Sequence, residues 1–176
     1  LSPLLDDPAN PTVIALLGID AAGENCITVA GGANMAVDDT DVFAATPWLT
    51  RANVLLLQLE IPQPAVLAAA RLARQSGAIV ILDPAPVPKT GLIDALWQET
   101  DVLTPNENET ALLTVIRPQN VEEASQAASV LMAKGAKAVL IKMGARGVYW
   151  NDGKRDGFCP PFKVTPIDTV AAGDCF

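Results

Sequence analysis

The chain predicts an α/β fold with a mostly parallel sheet. Short β-branched and aliphatic runs alternate with longer helical patterns, and each apolar run stops at a polar or proline-rich segment. Thr12 to Leu17 and Ile27 to Ala30 flank the turn Asp20-Ala21-Ala22-Gly23-Glu24-Asn25 and predict an antiparallel hairpin set apart as a small lid. Beyond it, Val54 to Leu59 reads as a buried strand, Pro64 to Gln75 as an alanine-rich helix, Ala78 to Leu82 as the next strand and Val102 to Thr104 as another. Helices are expected at Glu107 to Val115 and Glu122 to Lys134, then strands at Ala138 to Lys142 and Val148 to Trp150 around the glycine turn Gly144-Ala145-Arg146-Gly147. There is no internal repeat and no low-complexity segment.

The 176 residues are half hydrophobic, enough for one sizeable core and too few for two average domains. Twelve Lys and Arg stand against 20 Asp and Glu, a net charge of −8 with no dense basic run. This argues against nucleic acid or an anionic membrane as partner, so any phosphate must be held locally. No apolar run approaches the length of a membrane span. Cys26, Cys159 and Cys175 are widely spaced, and without a histidine they form no thiolate and imidazole zinc pattern. Free thiols in a reducing, cytoplasmic setting are expected. There is no Gly-x-x-x-x-Gly-Lys-Ser/Thr loop and no Gly-x-Gly-x-x-Gly, which argues against a P-loop kinase and a dinucleotide oxidoreductase.

Ligands of parallel sheets sit beyond the carboxyl ends of the strands. Those ends carry Gln58-Leu59-Glu60, Asp83-Pro84-Ala85-Pro86, Pro105-Asn106-Glu107-Asn108-Glu109 and Met143-Gly144-Ala145-Arg146-Gly147. The last nine residues add a small-residue turn, Ala171-Ala172-Gly173, leading to Asp174 where a helix should begin. Free N–H groups there favour a phosphate, and an acid beside it can take a proton from an attacking alcohol. On these residues alone an ordinary acidic first-turn position explains the segment equally well. Two other readings stay open in the same way. Asn106 and Glu109 have the spacing of a helix N-cap with its capping-box partner as well as that of a metal pair. Gly147 suits a tight strand-to-strand turn as well as a loop that admits phosphates.

Taken in order, Gly23-Glu24-Asn25, Gly32-Ala33-Asn34, Gln58-Leu59-Glu60, Asp83-Pro84-Ala85-Pro86, Thr104 to Glu109, Gly144 to Val148 and Asp168 to Asp174 resemble the ribokinase-like (PfkB) family of sugar kinases, its ribokinases most closely. The resemblance implies a three-layer α/β/α fold with a mostly parallel central sheet and a small β lid. Residues 1–36 would be part of the lid and its return, and 37–176 the central part of an incomplete α/β domain. It further implies that Asp174 is the general base, with the backbone around Ala171, Ala172 and Gly173 as anion hole. Glu60, with Asp174, would contact the sugar. ATP would be bound by Asn106, the segment Lys142, Met143, Gly144, Ala145, Arg146 and Gly147, and by Gly173 and Asp174. Asn106 and Glu109 would place Mg²⁺ through water. Asp168 and the carbonyl of Val170 would hold a monovalent cation, usually K⁺; ribokinases commonly show Thr where Val170 stands.

Gly31-Gly32-Ala33-Asn34 looks like the family's Gly-Gly sugar motif but lacks its lysine, and a structural turn is expected instead. Complete members also carry a front segment with further sugar contacts and a back segment that walls the adenine. The chain is therefore expected to be a piece, inactive by itself, and homodimeric through the hairpin when whole. Two functions remain open at this stage. One is an ATP-dependent sugar kinase, with D-ribose the leading substrate among relatives that act on other sugars or nucleosides. The other is a noncatalytic sugar- or nucleotide-binding protein of the same fold.

Overall fold

The computed structural model describes residues 4–19 and 25–164. A hairpin of β1 (Ile14–Ile19) and β2 (Asn25–Ala30) pairs antiparallel, with Ile14 opposite Ala30 and Ile19 opposite Asn25. The return from it is a 3-10 turn, Gly32–Ala36, in which Ala33 N–H donates to the Pro11 carbonyl at 2.8 Å. Gly32 has φ +51° and lies against that same carbonyl, so no side chain fits there. The segment is the structural turn expected.

The main body is a six-stranded sheet in strictly sequential order, β3 (Val54–Leu57), β4 (Ile79–Leu82), β5 (Val102–Leu103), β6 (Ala138–Lys142), β7 (Val148–Asn151) and β8 (Asp156–Cys159). Strands β3 to β6 run parallel, and β7 and β8 continue antiparallel. Between the parallel strands come α3 (Gln63–Gln75), α4 (Asp94–Glu99), α5 (Glu107–Thr114) and α6 (Val121–Ala133). Sequential right-handed crossovers with no reversal of strand order put all of these helices on one face. Two short helices, α1 (Asp39–Ala44) and α2 (Thr46–Leu49), pack on α3.

Small residues set the closeness of the helical layer. Ala65, Ala69, Ala70 and Ala73 of α3 are buried, as are Ala124, Ala127 and Ala128 of α6. Between them lies a core of Val66, Leu82, Leu96, Leu103, Leu131, Val139, Ile141 and Tyr149. Each large aliphatic there is worth about 1.5–3 kcal/mol in burial. Of the three layers expected, the described residues supply the sheet and one helical layer. On the opposite face Val54, Leu56 and Ile79 are 46, 72 and 50 % exposed, so the apolar runs of β3 and β4 are half buried.

Four elements were not legible beforehand: α1, α2, α4 and β8. Each is six residues or shorter, too brief for a full apolar period. Helix α1 nevertheless carries a capping box, in which Asp38 accepts from the N–H of Thr40 and Asp41 while Asp41 accepts from the N–H of Asp38.

The amino edge of the sheet is locked by Asp101, which accepts from Lys137 Nζ at 2.7 Å, Val80 N–H at 2.9 Å and Arg74 at 3.3 Å. Partial burial pushes its carboxyl upward, but the bonds from Lys137 and Val80 and the charge of Arg74 outweigh this and hold it below the usual aspartate range. Its stabilising contribution is therefore full above the ordinary aspartate value and is lost as pH falls through the depressed one. Asp101→Asn should cost about 1–3 kcal/mol at neutral pH, read as a lower Tm. The gap to wild type should close in acid, and a gap independent of pH would contradict this assignment.

Candidate active site at the carboxyl edge of the sheet

The pairing of the parallel strands continues past their ends. Asp83 N–H donates to Leu57 O at 2.9 Å, Leu59 N–H to Ala85 O at 2.9 Å, Thr104 N–H to Leu82 O at 3.0 Å and Lys142 N–H to Pro105 O at 2.9 Å. These bonds carry the ladder into the polar segments, so the residues after β3, β4, β5 and β6 line up on one edge.

After β3, Leu59 is buried and Glu60 is exposed. Glu60 lines a cavity of about 510 Å³ between the hairpin side, with Val13, Val29 and Met35, and the strand-end loops, with Ile61, Pro62, Pro86 and Pro88. Gln63, which also faces it, is committed to the Gly91 carbonyl and the Ile93 N–H.

After β5, Asn106 is the N-cap of α5. Its Oδ1 accepts from Glu109 N–H at 2.9 Å, while its own N–H and Nδ2 donate to the two Glu109 carboxylate oxygens at 2.7 Å each. The capping reading is thus realised in full, and it fixes both side chains at the edge. Glu109 is only 9 % exposed. Burial pushes its carboxyl above the usual glutamate range against the pull of the Asn106 N–H; the nearby charge of Asp83 adds to the rise and that of Lys142 opposes it.

After β4, Asp83 Oδ2 accepts from Lys142 Nζ at 2.6 Å, while its Oδ1 is buried with no hydrogen-bond partner among the described residues. The sequence reading puts Asp83 at a ligand-facing strand end without a contact of its own, although it holds a signal for one: an acid and a lysine close two strands of one parallel set, at neighbouring levels of the same edge. After β6 comes the 3-10 turn Gly144–Arg146, closed by Met143 N–H donating to Gly147 O at 2.9 Å. Arg146 pairs with Glu107 at the start of α5.

The Met143 side chain is 2 % exposed within the core and its N–H donates to Gly147 O, so what it meets in this structure is the core and the turn. The two glycines also differ. Gly147, at φ +98°, lies against the Cys159 carbonyl and the Phe158 ring, as the structural reading of the turn requires. Gly144, at φ +53°, would place a Cβ in space that no described residue fills, so only its backbone conformation asks for glycine. Asp168, Val170, Ala171, Ala172, Gly173 and Asp174 lie outside the described residues.

Among the described residues no three His, Cys, Asp or Glu side chains are grouped to hold a metal ion, and no helix is long and apolar enough to cross a membrane. Cys159 is an exposed free thiol.

A parallel sheet with polar strand ends, a capped acid and a glycine turn on one edge defines an α/β protein of the class whose ligands generally sit at that edge. Comparison with known proteins gives the family: the model described as pfkB family carbohydrate kinase matches residues 1–176, and the chain belongs to that family. It is 40 % identical over 162 residues to a bifunctional ribokinase/ribose-5-phosphate isomerase A of Fructilactobacillus sanfranciscensis, covering 92 % of this chain and 30 % of that protein. It is 36 % identical to a ribokinase of Staphylococcus aureus, covering 92 % of this chain and 53 % of the relative. A structure of Arabidopsis thaliana ribokinase complexed with ribose and ATP superposes with a TM-score of 0.82 at 31 % identity, over 94 % of this chain and 54 % of that one. The chain thus spans about half the length of these two ribokinases.

The glycine contrast predicts that Gly147→Ala, which meets backbone and strains φ, lowers stability by several times the roughly 1 kcal/mol expected for Gly144→Ala. Denaturant midpoints of the two variants check this, and equal losses would contradict the packing described for Gly147.

Proposed function

We propose that the protein is an ATP-dependent carbohydrate kinase that transfers the γ-phosphoryl group to the primary hydroxyl of a sugar, converting D-ribose to ribose 5-phosphate. The observation that carries this reading is the alignment of Glu60, Asp83, Asn106, Glu109 and the Lys142 to Gly147 turn on one sheet edge beside a cavity. Membership of the pfkB family and the ribokinase names of its relatives support the reaction class and the choice of substrate.

In this reading the sugar occupies the cavity under the hairpin, where the Glu60 carboxylate accepts bonds from two hydroxyls. Asp174 takes the proton of the primary hydroxyl as that oxygen attacks the γ-phosphorus. The bond to the β,γ-bridging oxygen breaks and ADP departs. The backbone at Ala171, Ala172 and Gly173 receives the charge of the transferring group. The Gly144 backbone, with Lys142 and Arg146, faces the nucleotide.

Bound Mg²⁺ would neutralise phosphate charge. Both Glu109 oxygens already accept from Asn106 and no acidic triad is present among the described residues, which suits an ion that keeps its waters and touches protein through them. Asp168 and the Val170 carbonyl would hold the activating K⁺. Residues 1–36 serve as part of the lid with its return, and 37–176 as the central part of the catalytic domain. The exposed apolar side chains Ile14 and Leu16 support a hairpin that meets a second copy in a homodimer. The location assigned with this role is the cytoplasm.

The test is phosphoryl transfer from ATP to ribose by the full-length gene product with Mg²⁺ and K⁺. Transfer should fall at least a thousandfold in Asp174→Asn with ribose binding retained. Binding of ribose and ATP without transfer in wild type would instead make the protein a noncatalytic member of its family.

A further inference from the structure

We propose that Asp83 is a positioning residue for nucleotide binding, fixing the Lys142 ammonium beside the Gly144 to Gly147 turn so that its charge meets the phosphates. The proposal rests on the nucleotide reading of that turn given above.

Three observations carry it. First, the pair joins strands that are not neighbours. Asp83 follows β4 and Lys142 ends β6, with β5 between them, a separation of about 10 Å at ordinary strand spacing. The lysine stem therefore lies across the edge instead of pointing away from it, and its ammonium ends 2.6 Å from Asp83 Oδ2 with the side chain only 12 % exposed. Second, the pair is poorly arranged for stability alone. Asp83 Oδ1 is buried with no partner among the described residues, and ion pairs drawn out of water return little net stability even when fully satisfied. Third, among the described residues Asp83 and Glu109 place two carboxylates around one lysine, an excess of negative charge where an anionic ligand is expected.

That surplus makes the claim decidable by sign. If only net charge mattered, neutralising Asp83 would tighten ATP binding. If Asp83 positions the lysine, neutralising it removes the contact that sets the direction of a long side chain, which must then be ordered again on binding, and ATP binds less tightly.

The experiment measures ATP affinity by calorimetry at fixed Mg²⁺ for the full-length gene product, Asp83→Asn, Lys142→Thr and the double variant, with Tm for each. The double variant strands no charge and guards against loss of folding in either single one. Asp83→Asn should weaken ATP binding about five- to tenfold, the size expected for immobilising one long side chain. In the Lys142→Thr background the same change should have no further effect, and the Tm of the double variant should stay near that of wild type. Unchanged or tighter ATP binding in Asp83→Asn overturns the proposal, as does an equal effect in both backgrounds. A wild type that does not bind ATP overturns the nucleotide reading and this proposal with it, whereas failure in the variants alone leaves that reading standing.

Discussion

Everything at the candidate site depends on the parallel ladder from β3 to β6 and its continuation past the strand ends. A strand end by itself is a mobile place for a functional side chain. Here each following segment is tied to its neighbour by a backbone bond of 2.9–3.0 Å, so Glu60, Asp83, Asn106 and Lys142 inherit the register of the sheet. Parallel pairing also forces these ends onto one edge, because each crossover returns the chain to the opposite edge before the next strand starts. The convergence of acids, lysine and glycine turn follows from topology, and the helical layer of small residues keeps that topology rigid.

The two edges of the sheet are treated differently. At the amino edge Asp101 is satisfied by three donors and acts as a structural clasp. At the carboxyl edge Asp83 keeps a buried oxygen without a partner among the described residues, and Glu109 is held at a raised pKa by burial. An unsatisfied buried acceptor costs about 1–3 kcal/mol, a cost the amino edge avoids.

Much of this was legible in the sequence because parallel strands have a strong local signature. The runs Val54 to Leu57, Ile79 to Leu82 and Ala138 to Lys142, and the turns that end them, mark the strands and so the edge where chemistry gathers. The Asn106 and Glu109 spacing was legible as well, and the structure shows why two readings competed: the cap fixes the acid in place and leaves open what the acid then does. Other features were hidden. The exposed face of β3 and β4 depends on what covers the sheet, which an apolar run does not encode. The Asp83 and Lys142 contact joins residues 59 apart, a relation that only the strand order reveals. The burial of the Met143 side chain was hidden as well, because a loop motif does not say which side chain turns inward, and the alternation of β6 continues one residue past its end to send Val139, Ile141 and Met143 to the core.

Hydrogen exchange of the full-length gene product, alone and with ribose and a nonhydrolysable ATP analogue, tests the central claim most directly. Protection gained together at the segments following β3, β4, β5 and β6 is the result predicted by a single edge-wide site. Protection confined elsewhere, as around the separate cavity of about 310 Å³ lined by Thr90, Trp97 and Lys134, would contradict it.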